Sequence, residues 1–304
     1  MKTLIQLTLT AVLVASAAHA QGMTETMVAK PDIAALPGVA LNQTLADALP
    51  EDIRNAGILK VATSLTPPIS FHDDDGKLIG IDADLAAAFG IILGVDVEMT
   101  DVGGGPHIVP AILSGRFDMT ISGINDDPEL QKQVDVIDYM YDGTTIMVVQ
   151  GNPLAVASMD DLCGRRVAVP VGTFQNRLAQ AHSDEHCDVP MNIMSLPKMP
   201  DVLQAIRTGR ADATVNGYAT SVYSTEKQVG RGVGLQALPD IRLAVGYLGM
   251  LTAKDDTALR DTAAATLQQL VDSGAYQAIM DKWGLGPLAV ESVKINDAAN
   301  LAME

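Results

Sequence analysis

Aromatic side chains are scarce in this chain, at 4% of residues with a single tryptophan. Its cores must therefore be filled by Ala, Val, Leu, Ile and Met, within an apolar fraction of 48%. Basic residues are short too: 20 Lys and Arg stand against 37 Asp and Glu, a formal charge of −17. So acidic a surface repels nucleic acid and anionic membranes, which excludes both as partners. Beyond the first residues no run approaches the roughly 20 apolar positions of a membrane span. Cysteine occurs only twice, as Cys163 and Cys187. No nucleophile–base pair stands out, so no catalytic residue is expected. Metal-ligand patterns are equally thin. His182 and His186 have helical spacing beside Cys187, but a polar helix end running into a bridged cysteine accounts for them, and no metal or cofactor is expected.

What is present begins at the N-terminus. Lys2, the apolar run Leu4–Ser16 and Ala18-His19-Ala20 form a secretory leader cleaved before Gln21. This makes 1–20 a signal peptide and predicts export to the bacterial periplasm. Neither cysteine lies near the cleavage site, so no lipid anchor is expected. In that oxidising compartment Cys163 and Cys187 pair by default. The bridge closes a loop of about 25 residues, worth roughly 3.5 kcal/mol on the chain-entropy account. Two buried thiols are the alternative.

One short block is written twice. Ala111–Gly123 reads AILSGRFDMTISG and Ala205–Gly217 reads AIRTGRADATVNG. The copies lie too far apart for a solenoid, whose period is roughly 20–50 residues. Each predicts a helix stopped by a glycine (Gly115, Gly209), then a buried strand ending in a small polar residue and glycine. Ligands of open α/β sheets bind beyond such strand ends, so Ser122-Gly123 and Asn216-Gly217 predict a cleft between two similar lobes. Strands and helices alternate around the two blocks, as in an α/β protein. Strands are predicted at Gly57–Thr63, Val95–Met99, Phe117–Ser122, Arg166–Val171 and Gly246–Thr252, with a hairpin around Asp73–Gly76. Helices are predicted at Asp82–Leu93, after Asp127-Pro128, and at Phe174–His182, Thr257–Val271 and Tyr276–Trp283. The stretch 21–50 is a lead-in without clear periodicity.

Four segments in order carry a resemblance: GILKVATSLTPPISFHDDDGKLIGIDADL, IVPAILSGRFDMTISGINDDPELQKQVD, DLCGRRVAVPVGTFQNRL and SGAYQAIMDKWGL. They resemble landmarks of the polar amino-acid family (family 3) of periplasmic solute-binding proteins, which serve ABC importers. The resemblance covers about 50–288 and implies the type II periplasmic-binding-protein fold, two α/β lobes joined by two hinge crossings. It places the first lobe at 51–144 and 243–288, the second at 145–242, and a tail at 289–304. The hinge would run near Gly143–Gln150 and Ile241–Tyr247. A small-molecule ligand and an inner-membrane ABC permease are the implied partners, and a monomer is the simplest state.

The pattern breaks at the ligand. The arginine that grips the α-carboxylate in the family aligns with Leu130, and the aspartate that holds the α-ammonium with Gly217. The sandwiching aromatics align with Thr66 and Gly105. Leucine cannot replace a buried bidentate arginine–carboxylate pair. An amino-acid derivative or small nitrogenous metabolite is therefore expected rather than a plain α-amino acid. Backbone N–H groups near Gly123–Asn125 and Gly172–Phe174 would seat anionic or carbonyl oxygens. Ser122, Asn125, Thr173, Gln175 and Asn216 would add hydrogen bonds, and Thr66, Pro67, Phe71 and Phe174 an apolar wall beside Gly217. Arg177 is either a substitute cation or a solvated helix-surface residue. Asp126 and Asp127 raise the opposite idea, a cationic ligand, with Asp127 otherwise a helix cap. The expected function is a periplasmic receptor of an ABC importer. The alternatives are an accessory or sensory binding protein and, on the same scaffold, a periplasmic dehydratase, against which the missing arginine counts.

Overall fold

The computed structural model describes residues 24–27, 30–227 and 234–298. The leader 1–20 and the last six residues lie outside them.

Ile58–Thr63 is apolar apart from Thr63 and the exposed Lys60 because Leu59 and residues 61–63 are buried between neighbours on both sides. It pairs in parallel with Asp96–Asp101 and with Met119–Thr120. From there the sheet continues through Leu243–Ala253, Val134–Val149, Ala213–Gly217 and Arg166–Pro170 to Asn192–Leu196. The strand Val134–Val149 holds the two halves together. Its residues up to Thr144 pair antiparallel with Leu243–Ala253, and from Thr144 onward with Ala213–Gly217. Thr144 itself faces Leu243 on one side and Gly217 on the other.

Buried side chains gather on both sides of this crossing. One side holds two clusters, one around Leu59, Phe89, Leu267 and Tyr276, the other around Ala62, Ile108, Ile112 and Leu251. The far side holds clusters around Ile146, Val167 and Val215, and around Met147, Val202 and Ile206. This is a mixed α/β molecule of two lobes.

Helix Ile81–Leu93 is apolar nearly all round because it is buried nearly all round. It nonetheless carries two acids in its first turn. Asp84 is satisfied by Lys30 at 2.6 Å, Lys282 at 2.9 Å and the Trp283 indole N–H at 2.9 Å. Among the described residues Asp82 has only the Tyr139 hydroxyl, which donates to its Oδ1 at 2.8 Å.

Several elements differ from the sequence expectation. Asp127 does cap a turn, its Oδ1 accepting from the N–H groups of Glu129 and Leu130 at 2.9 Å each. Only the 3₁₀ turn Leu130–Lys132 follows, because the strand beginning at Val134 leaves no room for a helix. The strand predicted at Phe117–Ser122 shrinks to Met119–Thr120, while the helix predicted at Phe174–His182 runs on to His186. The lead-in is structured: Thr24–Met27 adds a strand against Asp96–Asp101, and Asn42 caps helix Gln43–Ala48. Ala289–Ile295 pairs with Val134–Val149, so the start of the expected tail belongs to the sheet. Such edge strands are chosen by a distant partner, which local periodicity does not report.

Cys163 and Cys187 form a disulfide with a Cα–Cα distance of 5.4 Å. His182 lies close to both sulfurs, but the bridge consumes them, and its Nε2 sits 2.9 Å from Asp160 Oδ1.

Candidate functional site

A cavity of about 780 Å³ opens between the two lobes. From the first lobe it is lined by Thr66, Ser122, Gly123 and Asn125, and from the second by Thr173, Phe174, Gln175, Arg177, Asn216 and Gly217. The two ends of the repeated block therefore face one space. Leu130 and Gly105 line it as well. Pro67 and Phe71 do not. The Phe71 ring packs instead against Tyr223, with centroids 5.8 Å apart, and edge-on to Trp283 at 5.7 Å.

Some of these side chains are committed to holding their own backbone. Thr173 caps helix Phe174–His186: its Oγ1 accepts from the Asn176 N–H at 3.2 Å and donates to the Pro170 carbonyl at 2.9 Å. Asn216 donates from Nδ2 to Ser221 Oγ at 3.2 Å, and that hydroxyl donates to the Gly217 carbonyl at 2.7 Å. Ser122 and Ser64 share a hydroxyl–hydroxyl bond of 2.8 Å.

Others reach across the cleft. Gln175 Nε2 donates to Asn125 Oδ1 at 3.0 Å. Arg177, whose side chain is 57% exposed, pairs with Asp127 Oδ2 at 2.5 Å. Arg177 is thus neither idle on the helix surface nor free for a ligand. An ion pair so open to solvent is worth less than ~1 kcal/mol, enough to bias closure but not to hold it. At the lip the backbones themselves meet. A β-carbon at Gly105 would stand 2.6 Å from the Val171 carbonyl oxygen, and one at Gly172 would stand 3.0 Å from Pro106 Cδ. Side chains at these two positions would keep the lobes apart.

Among the lining residues that sequence reasoning does not single out, one is a buried acid. Asp142, on the strand Val134–Val149, is 5% exposed and borders the cavity beside Gly217. Its Oδ1 accepts from the Ala219 N–H at 3.1 Å. Burial pushes its carboxyl up to about 6, while N–H groups of Ala219, Gly143 and Tyr218 and the charge of Arg242 pull the other way. A lone acid before Gly143 reads as a turn residue in sequence. Only the pairing of its strand turns it inward.

Two lobes, crossed by two antiparallel strands and closing on a cavity lined by strand ends and a helix N-terminus, define a two-lobed solute-binding protein of type II architecture. The sequence agrees: the model of the bacterial extracellular solute-binding proteins, family 3, matches residues 59–286, and the chain belongs to that family. It is 28% identical over 254 residues to the arginine-binding protein ArgT of Corynebacterium glutamicum, spanning 82% of this chain and 81% of that one. An ancestral arginine-binding protein bound to arginine superposes with a TM-score of 0.68 at 29% identity, covering 75% of this chain and 98% of that one. An ancestral amino acid-binding protein, a precursor of cyclohexadienyl dehydratase, superposes with a TM-score of 0.68 at 30% identity, covering 79% and 99%. All three relatives are binding proteins.

Proposed function

We propose that this chain is the periplasmic receptor of an ABC importer, closing its two lobes on a small polar nitrogenous solute, an amino acid or a derivative of one. The observation that carries this reading is the cavity itself, which both lobes line and across which they are bonded through Asn125–Gln175 and Asp127–Arg177. Its volume lies within the roughly 300–1,000 Å³ of small-molecule pockets. Relatives that bind arginine support a nitrogenous ligand. Leu130, with no cation to offer, supports a derivative over a plain α-amino acid. Residues 51–144 and 243–288 would move against 145–242, with Gly143 and Gly246 in the crossing strands absorbing the backbone change. The solute shifts the open–closed balance by its extra contacts in the closed form. No helix among the described residues is long and apolar enough to cross a membrane. The leader ending at Ala20 supports delivery to an inner-membrane permease from the periplasm.

The direct test is mass spectrometry of whatever the denatured protein releases, followed by a thermal-shift panel of amino acids and their derivatives. A nitrogenous solute that raises the melting temperature is the expected result. A panel without any shift would remove the receptor reading.

Closure gives a second test. Gly105 has a φ of +51°, so alanine there adds backbone strain to the contact across the lip. The 2.6 Å approach to Val171 exists only when the lobes meet. Relieving such an overlap costs about 1–2 kcal/mol. Gly105→Ala is therefore expected to weaken binding of the identified solute about tenfold in titration calorimetry. Unchanged affinity would mean that the lip does not close in the bound state.

A further inference from the structure

We infer that Asp142 is the residue that selects the ligand, taking a cationic nitrogen, ammonium or guanidinium, at the inner end of the cleft. The inference rests on the receptor reading above and adds the charge class of the solute.

Six charged side chains line the cavity: Asp101, Asp127, Glu129, Asp142, Arg177 and Lys198. Asp142 alone among them is buried. Arg177 is held by Asp127, Glu129 by Lys132 at 2.5 Å, and Lys198 is exposed. Among the described residues no Lys or Arg comes within ion-pair distance of Asp142. A buried carboxylate without a cation is costly, and one that faces a cavity invites a charged partner into it. The space for that partner is open. Asp142 Oδ2 lies 2.9 Å from where a β-carbon at Gly217 would stand, so the missing side chain bares the carboxylate to the cleft. Among the described residues the cavity offers no matching buried cation for a ligand anion.

This arrangement makes binding depend on pH. With its carboxyl pushed up to about 6 by burial, Asp142 is charged at neutral pH and protonated in mild acid. The neighbours that carry charge or titrate are few. Arg242 stacks 3.8 Å above the Tyr218 ring on one side, Tyr139, Tyr141 and Asp138 share its strand, and Tyr247 lies on the facing strand. The strand Ala213–Gly217 contributes none.

The test is calorimetric titration of the leader-free protein with agmatine, L-arginine and L-glutamate at pH 7.5 and pH 5.0, repeated with Asp142→Asn. Asparagine keeps the acceptor for the Ala219 N–H and removes the charge. At least one of the two cations is expected to bind, about tenfold more weakly at pH 5.0 than at pH 7.5, since the charged fraction falls tenfold per pH unit below the pKa. Asp142→Asn is expected to bind it at least tenfold more weakly at pH 7.5 and with no pH dependence. Gly217→Ala, which crowds Oδ2 without touching the Ala219 bond, is expected to weaken binding as well, and it serves if the asparagine variant does not fold. Equal affinity in wild type and variant overturns the inference. So does binding of L-glutamate, or of a neutral solute from the thermal panel, without either cation, and in that case the receptor reading stands. Failure of every probe and of the whole panel removes both.

Discussion

Raising the pH from about 4 to about 8 is expected to lower the stability of this protein, and Asp82→Asn is expected to remove part of that slope. Asp82 sits in the first turn of helix Ile81–Leu93 with no exposed surface. The Tyr139 hydroxyl donates to one carboxyl oxygen, and the other has no partner among the described residues. Burial therefore pushes the carboxyl up to about 8, which the single hydrogen bond only partly offsets. In the unfolded chain the same group titrates near 3.9. Between these values the folded protein keeps a proton that the unfolded chain releases, so each rise in pH favours unfolding. The slope is at most ~1.4 kcal/mol per pH unit, and it accumulates to on the order of 5 kcal/mol by pH 8.

Asp138 acts in the same direction. Its carboxyl is also pushed up to about 8, by burial first and then by the charge of Asp126. At the acid end the sign reverses. Hydrogen bonds from Arg166 hold Asp212 below the usual carboxylate range. At Asp135 burial is outweighed by Asn296, Lys254 and Arg260 together. The stability these two contribute is lost as the pH falls through their lowered values. Urea unfolding at pH 5, 6.5 and 8 measures the balance. Wild type should weaken steadily over that series and Asp82→Asn less steeply, with Asp138 still holding its proton and the amide oxygen still accepting from Tyr139. Parallel slopes would place the retained proton elsewhere.

Opening the Cys163–Cys187 bridge is expected to cost about 3.5 kcal/mol, the loop-closure entropy returned to the unfolded chain. The closed loop holds one strand–helix unit, Arg166–Pro170 and Phe174–His186. Besides the bridge, the far end of that helix is held by the Met191 N–H donating to Ser183 Oγ at 2.9 Å and by His182 beside Asp160. The helix buries only Gln175, Ala179 and Ser183, and Cys187 is its C-terminal cap residue. Its other end carries Thr173, Gln175 and Arg177 into the cleft, so a loosened helix should also blunt ligand-induced stabilisation. Denaturant melts with and without reductant, or of a Cys163→Ser/Cys187→Ser variant, measure the loss. Two reactive thiols in denatured, unreduced protein would show that no bridge had formed.

Much of the cleft is legible in the sequence. The repeated block ends where its residues said it would: Gly115 and Gly209 both take the left-handed conformation, and Ser122-Gly123 and Asn216-Gly217 face one cavity. Thr173 caps its helix as its place before Phe174 suggests. These are local matters, settled within a few residues by capping, glycine and apolar spacing. The misreadings have a common cause. Phe71 reads in sequence as a wall of the site but packs onto Tyr223 and Trp283, which lie far along the chain. Leu130 was expected inside a helix, yet a strand that pairs with residues 243–253 claims the chain from Val134 onward.

By itself, then, the sequence determined a two-lobed α/β binding protein with a paired set of strand ends, because such signals are written in neighbouring residues. The tertiary structure alone decided which groups meet: Asn125 with Gln175, Asp127 with Arg177, and Asp142 beneath the vacant position at Gly217. Each of those meetings depends on two crossing strands bringing together segments 50 or more residues apart, and no local pattern specifies such a distance.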